Sequence, residues 1–270
     1  VGSEMCIRDR SIDYNLTYSK GKSELADNSI LQQVARRNPT EPVYDQEGIT
    51  PISGGYYYNP GPFQYFNPVA MVNESTREKE MRDVMGSMKA SFEIIEGLKA
   101  SVMGSITQSS SNTGSYFGRY YPKDFGTNGS AEIKKSSSTN SLLEASVDYR
   151  KAFKDHTIQA IAGYSYNKGE YEENWSRNYL YDTDYFSYHN IGAGAALTQG
   201  KAGMSSYKDE NKLIAFFGRV MYNYQERYLL SASVRYEGSS RFGANNKWGT
   251  FPAISAGWRI NKEHFMEDIK

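Results

Sequence analysis

The stretch LIAFFGRVMYNYQERYLLSASVRYEG, Leu213–Gly238, decides the fold. Ile214, Phe216, Gly218, Val220, Tyr222 and Tyr224 share one face of an extended chain, while Arg219 and Asn223 point the other way, which is a period of two. After a short turn at Gln225–Arg227 the alternation resumes. Tyr228, Leu230, Ala232, Val234 and Tyr236 lie on the apolar side, with Ser231, Ser233, Arg235 and Glu237 opposite. Aromatic residues crowd the ends of the first apolar stripe and small or aliphatic ones fill its middle, as in a membrane-spanning strand whose aromatic girdles flank an apolar band. A soluble sandwich also alternates, but it has no need of aromatic ends.

Outward from this stretch the same pattern predicts about eight strands, at 11–20, 84–95, 98–107, 141–151, 156–168, 212–224, 228–237 and 250–260, each long enough for a tilted crossing of the hydrocarbon layer. Leu98, Ala100, Val102, Gly104 and Ile106 form one expected lipid-facing set, and Ile158, Ala160, Ala162, Tyr164 and Tyr166 another. Ile161 and Met103 interrupt the opposite, polar stripes. The connections Glu96-Gly97, 152–155 and 225–227 are tight, whereas 21–83, 108–140, 169–211 and 238–249 are long. Short and long connections alternate throughout, as they do when every second one lies on the same side of a membrane: tight turns periplasmic, long loops extracellular. Loops this long are uncommon in a compact soluble domain.

Composition fits a barrel wall and excludes other classes. In 270 residues, 31 Lys plus Arg balance 31 Asp plus Glu, so there is no basic field for nucleic acid. Mean hydropathy is −0.68 with 14% aromatic residues and 23 Tyr, and no long apolar run is present, as expected where lumen and loop positions are polar. The single cysteine, Cys6, lies at the very start.

Tyr222-Asn223-Tyr224, Arg227-Tyr228-Leu229-Leu230, Gly238-Ser239-Ser240-Arg241-Phe242-Gly243, Trp248-Gly249-Thr250-Phe251-Pro252 and Gly257-Trp258-Arg259 together resemble the barrel signature of the SusC/RagA family of TonB-dependent outer-membrane transporters. Weaker echoes stand at Asn67-Pro68-Val69-Ala70 and Ile95-Glu96-Gly97-Leu98-Lys99, so the resemblance covers most of the chain from about Ser11 onward. It implies a bacterial outer-membrane barrel of about 22 strands around a plug. It also implies import of oligosaccharides or peptides, energy from TonB, and a SusD-like surface lipoprotein over the loops. Residues 11–270 would then be part of that barrel, an all-β, curved, open antiparallel sheet facing outer-membrane lipid, without plug or TonB box. Residues 1–10, VGSEMCIRDR, resemble translated sequencing-adapter DNA and are set aside as non-native. A passive porin or surface adhesin on a similar barrel is the alternative.

Candidate contacts sit in the expected extracellular loops: Tyr56, Tyr57, Tyr58, Trp175, Tyr179, Tyr181 and Tyr185. Aromatic faces stack on sugar rings and extended peptides, and neighbouring Asn and Asp residues hydrogen-bond hydroxyls or amides. The bland alternative is that these aromatics glue the loops to one another or to a partner. No catalytic, metal or cofactor motif is evident: His156, His189 and His264 are scattered, Glu170–Glu173 reads as a solvated loop start, and Gly192–Ala196 as a flexible loop tip. An enzyme is not expected.

Overall fold

In the computed structural model every strand pairs with its neighbour in sequence, giving one antiparallel sheet of nine strands in the order β1 to β9 without a crossover. The structure describes the backbone of residues 2–7 and all of residues 9–45, 53–58 and 65–266. The strands are β1 (Gly2–Ile7), β2 (Arg10–Glu24), β3 (Ser75–Ile95), β4 (Leu98–Phe117), β5 (Ser130–Phe153), β6 (His156–Tyr179), β7 (Gly203–Tyr224), β8 (Tyr228–Ser239) and β9 (Trp248–Trp258). Each of the eight expected strands has its counterpart. The ninth, β1, lies in the stretch that sequence reading set aside; its backbone pairs with β2, Gly2 opposite Asn15 and Ile7 opposite Arg10. Val1 and Arg8 of that stretch lie outside the described residues. β1 and β9 are the edges of the sheet.

The register joins the expected lipid-facing sets into continuous rows. One row runs Ile12, Ala90, Val102, Ala145, Tyr164, Phe216 and Tyr236 from β2 to β8. The next runs Phe92, Ala100, Val147, Ala162, Gly218, Val234 and Pro252 from β3 to β9. Exposure follows the same period but with soluble-protein logic inverted. Along β8, Tyr228, Leu230, Val234 and Tyr236 are 45–50% exposed, whereas Leu229, Ser231, Ser233, Arg235 and Glu237 are part-buried. The greasy face is the open face, and only hydrocarbon makes that favourable at about 25 cal/mol per Å².

Ile214 to Tyr224 covers about 33 Å of strand, or about 24 Å of vertical height at a 45° tilt, the thickness of a barrel's apolar band. Aromatic clusters close both ends. Tyr164 meets Phe216 at 5.3 Å and Tyr236 stacks on Trp248 at 4.8 Å on one side. On the other, Phe153, His156, Tyr224 and Tyr228 form a chain of ring contacts. No helix among the described residues is long and apolar enough to cross a membrane.

Tight turns join strands on one side. Gly97 has a φ of +81°, and a Cβ there would stand 2.2 Å from the Arg150 carbonyl oxygen, so this turn requires glycine. At the β7–β8 hairpin both Gln225 and Glu226 have φ of 51°, and the turn closes with the Arg227 amide donating to the Tyr224 carbonyl at 2.9 Å.

The strands correct the expected loop lengths. β3 to β7 run 20–24 residues, about twice the membrane-crossing segments read from the sequence. The connection expected over 108–140 shrinks to 118–129, and that over 169–211 to 180–202. Trp175 and Tyr179 therefore belong to β6 rather than to a loop, and Glu170–Glu173 is paired strand. Backbone pairing continues above the bilayer, where both faces are wet, so the chain keeps its two-residue period but loses the hydropathy contrast that marks it.

Two arginine substitutions test the sidedness. Val220→Arg, on the lipid face near mid-band, should cost about 2–4 kcal/mol of barrel stability, and Ser233→Arg, on the polar lumen-facing side, clearly less. Reversible denaturation of the membrane-inserted receptor measures both, and equal costs would contradict the assignment.

Candidate substrate wall and extracellular rim

Above the band, the inward faces of β3 to β7 form a wall whose rows follow from the register. Reading from β4 to β7 and climbing away from the bilayer, the rows are Thr107–Asn140–Gly169–Asn211, Ser109–Ser138–Tyr171–Asp209, Ser111–Ser136–Glu173–Tyr207, Thr113–Lys134–Trp175–Ser205 and Ser115–Glu132–Arg177–Gly203. These positions share strand parity with lumen residues Ser233, Arg219 and Gln159. The wall charges pair locally: Lys134 Nζ with Glu173 at 2.9 Å and Arg177 Nε with Glu132 at 3.1 Å. Tyr171 donates its hydroxyl to Glu173 at 2.5 Å, and that bond, with the Lys134 pair, holds the Glu173 carboxyl below its ordinary range. The Tyr171 and Tyr207 rings lie 6.3 Å apart.

The opposite face of the same strands carries a second set of pairs. Lys168 bridges Glu170 at 2.9 Å and Glu210 at 3.1 Å, Lys212 meets Glu210 at 2.6 Å, and Lys208 pairs with Glu172. The bonds from Lys212 and Lys168 lower the Glu210 carboxyl to about 2. Each exposed pair contributes little alone. Together they place charge on both sides of the wall as soon as it leaves the lipid.

The connections pack into a rim with its own small core. Tyr116, Ala131 and Tyr181 are buried together, flanked by Tyr188 and Ile191 of the 3-10 segment Ser187–Ala193. Two carboxylates tie the loops. Asp184 accepts from the Tyr116 hydroxyl at 2.7 Å and pairs with Arg119 Nε at 3.2 Å. Asp27 accepts from Tyr121 and from Lys123, both at 2.8 Å. Burial alone would raise the Asp27 carboxyl, but donors from Lys123, Ser29 and Tyr121 outweigh it and hold it well below the carboxylate range. Burial raises the Tyr116 and Tyr121 phenols strongly and their carboxylate partners raise them further. In the connection 25–74, α1 (Ile30–Arg36) and α2 (Pro68–Asn73) are held by side-chain amides: Asn67 caps α2 and donates to the Val43 carbonyl at 2.7 Å, and Gln33 accepts from the Phe66 amide at 3.0 Å.

The seven candidate contacts do not converge. Tyr56 stacks on Tyr44 at 5.7 Å, Tyr57 lies under the Arg37 guanidinium at 6.0 Å, and Tyr58 meets Phe125 edge-on at 5.1 Å. Tyr181 is 1% exposed in the rim core, where burial lifts its phenol to about 12. Tyr185 is 86% exposed beside Phe186. Trp175 and Tyr179 stand on the wall. Wall residues Tyr171 and Tyr207 were missed; the signal that could have found them is the two-residue period of Tyr171, Glu173, Trp175, Arg177 and Tyr179, carried by aromatics and charges instead of apolar residues. Gly192–Ala196 is a packed strap rather than a flexible tip: Asn178, 2% exposed, donates to the carbonyls of Ile191 and Gly194, each at 2.8 Å, and Ala196 is buried. Of the histidines, His156 opens β6 with Nδ1 2.6 Å from the Tyr222 hydroxyl, while His189 and His264 lie in separate 3-10 turns. Among the described residues no group of three His, Cys, Asp or Glu side chains could hold a metal.

A family model described as "TonB dependent receptor-like, beta-barrel" matches residues 12–266. The chain belongs to this family. TonB-dependent receptor P3 of Formosa agariphila is 31% identical over 221 residues, covering 82% of this chain and 22% of that protein. TonB-dependent receptor SusC of Bacteroides thetaiotaomicron is 27% identical over 279 residues, covering 94% of the chain and 26% of SusC. Among solved structures, the RagAB peptide transporter superposes with a TM-score of 0.81 at 17% identity, covering 99% of this chain and 30% of that one, a likeness of fold. The chain thus spans about a quarter of the curated relatives it matches, and it is outer-membrane barrel wall from a family of receptors rather than enzymes.

Gly114 lies under Tyr188, whose hydroxyl donates to Glu78 at 2.8 Å; a Cβ at Gly114 would stand 2.3 Å from that ring. Gly114→Ala should therefore detach the 3-10 segment and speed amide hydrogen exchange over 187–193, whereas unchanged exchange would contradict the packing. Glu74 sits where α2 meets the 118–129 connection, its carbonyl accepting from the Gly118 amide at 2.7 Å, and burial followed by the Asp184 charge raises its carboxyl. A raised folded value means stability that is full below the unfolded value of about 4.3 and lost as pH rises through the folded one. Exchange at Glu74 and Gly118, corrected for intrinsic rate, should be slower at about pH 5 than at about pH 8, and Glu74→Gln should remove the difference.

Proposed function

We propose that this chain is one sector of the wall of an outer-membrane active importer for oligosaccharides or peptides. TonB energises it, and a SusD-like surface lipoprotein works over its extracellular rim. The observation that carries the reading is the continuation of the wall beyond the bilayer: β3 to β7 extend inward-facing aromatic, amide and hydroxyl side chains well above the lipid band, under loops tied into one rim. A diffusion pore needs a polar lumen but not a tall, aromatic-bearing vestibule. Membership of the TonB-dependent receptor family and the likeness to SusC support energy coupling and a lipoprotein partner. The loop aromatics Tyr56, Tyr57, Tyr58 and Tyr185 are candidate contacts for cargo or partner at the rim, and Trp175 and Tyr179 for cargo inside it.

The receptor as its gene encodes it, produced in a host lacking its own importer, tests the proposal. Uptake of labelled oligosaccharides or peptides should collapse when TonB is deleted or the proton gradient is discharged. Uptake that survives both treatments would favour the passive porin.

A further inference from the structure

We infer that the outward face of β2 to β5, just above the lipid boundary, carries a pocket for the phosphate-bearing headgroup of an outer-leaflet glycolipid. The inference goes beyond cargo and coupling, because it concerns the side of the wall turned away from the lumen. Strand parity fixes that side. Lys20, Arg82, Ser110 and Ser137 form one row, and Lys22, Glu80, Asn112 and Lys135 form the next, further from the bilayer. Both rows continue the faces of Leu16 and Tyr18 on β2 and Ile106 on β4, which are 50–61% exposed on the lipid side. On β2 they stand two and four residues past Tyr18, about 5–9 Å of height at a 45° tilt, which is headgroup depth. A pocket of about 410 Å³ opens there. Asn112 and Gly114 make its floor, Lys22 and Lys135 stand on either side, and Tyr188 and His189 of the 3-10 segment close its upper edge.

The charges select an anion. Glu80 is shared by Lys20 at 3.3 Å and Arg82 at 2.5 Å, and Glu78 pairs with Lys22 at 2.9 Å and accepts from the Tyr188 hydroxyl at 2.8 Å. Lys135 has no carboxylate partner among the described residues, and Glu172, diagonal to it on β6, is taken by Lys208. Lys20, Lys22, Arg82 and Lys135 thus face only Glu78 and Glu80, and with Glu24 opposite Glu78 the excess is still positive. Long cationic side chains reach this depth while their stems stay on apolar surface, and a phosphate accepts from several of them at once. Ser110, Ser137 and Asn112 suit sugar hydroxyls, and the Tyr188 and His189 rings suit a sugar face. A zwitterionic headgroup would bring its own ammonium to a site already rich in cations, so the anionic glycolipid fits better.

Native mass spectrometry of the purified receptor, as its gene encodes it, tests the site. The receptor is released from detergent after incubation with phosphorylated lipid A, dephosphorylated lipid A or phosphatidylethanolamine. Phosphorylated lipid A should stay bound and the other two should be lost. Excess inorganic phosphate should not displace it, because its acyl chains lie along the apolar face below. Lys22→Gln combined with Lys135→Gln should weaken retention on the order of tenfold. Asn112→Trp, which fills the floor without changing charge, should weaken it similarly, whereas Lys79→Gln, an equal charge loss on the inward face of β3, should change nothing. Heat-modifiable electrophoretic migration confirms that each variant is folded. Equal retention of the dephosphorylated lipid, displacement by inorganic phosphate, sensitivity to Lys79→Gln, or full retention in both folded pocket variants would each overturn the inference. Energised uptake is a separate readout, so any of these results would leave the importer reading as it stands.

Discussion

Every feature of this sheet depends on the need to satisfy backbone hydrogen bonds in a medium that offers none. Within hydrocarbon each N–H and C=O must find a partner inside the protein, and the ladder from β2 to β9 supplies it sideways, strand to strand. Once the ladder fixes the register, side chains have no further choice: alternate residues face opposite media. Phe92, Ala100, Val147, Ala162, Gly218 and Val234 fall into one row because the pairing puts them there, and lipid tolerates the row because none carries charge.

The same ladder continues past the lipid boundary and changes purpose. Below Leu213 on β7 one face must be apolar; above it, Lys212, Glu210 and Lys208 occupy the formerly greasy side, where Glu210 pairs with Lys212 and with Lys168 of β6, and Lys208 with Glu172. Freed from lipid on both faces, the upper strands can spend their inward positions on rings, amides and hydroxyls. The rim above them is held differently, by Asp27 and Asp184 collecting phenol and cation donors from separate connections, with a small Tyr116–Ala131–Tyr181 core. The vestibule is thus rigid in its wall and knotted by polar contacts at its top.

The membrane part of this architecture was legible because hydropathy and period coincide there. Ile214 to Tyr236 alternates in both, and the strand faces and tight turns stand where the pattern put them, although Gly238, Ser239, Trp248 and Gly249, expected in the connection 238–249, end on β8 and β9. The upper strands were not legible by the same rule. Lys168 to Tyr179 keeps the period but places Glu170, Glu172 and Asn174 against Tyr171, Glu173 and Trp175, polar against polar, so it reads as loop. The short strand Gly2–Ile7 was missed because its residues show no alternation to continue. Whether loop aromatics pack or stay available was also hidden: Tyr181 and Tyr185, four residues apart, end at 1% and 86% exposure, a difference set by the rim core and not by local sequence.

The most direct measurement is a nitroxide scan of residues 203–224 on β7, comparing collisions with oxygen, which partitions into lipid, and with a water-soluble nickel chelate. From Ile214 to Tyr224 accessibility to the two relaxers should oscillate with a period of two and opposite phase, even positions meeting oxygen and odd positions the chelate. From Gly203 to Lys212 both faces should meet the chelate. Chelate access at even positions between Ile214 and Tyr224, or lipid contact at even positions from Lys212 up to Met204, would contradict a wall that crosses the bilayer and then rises out of it.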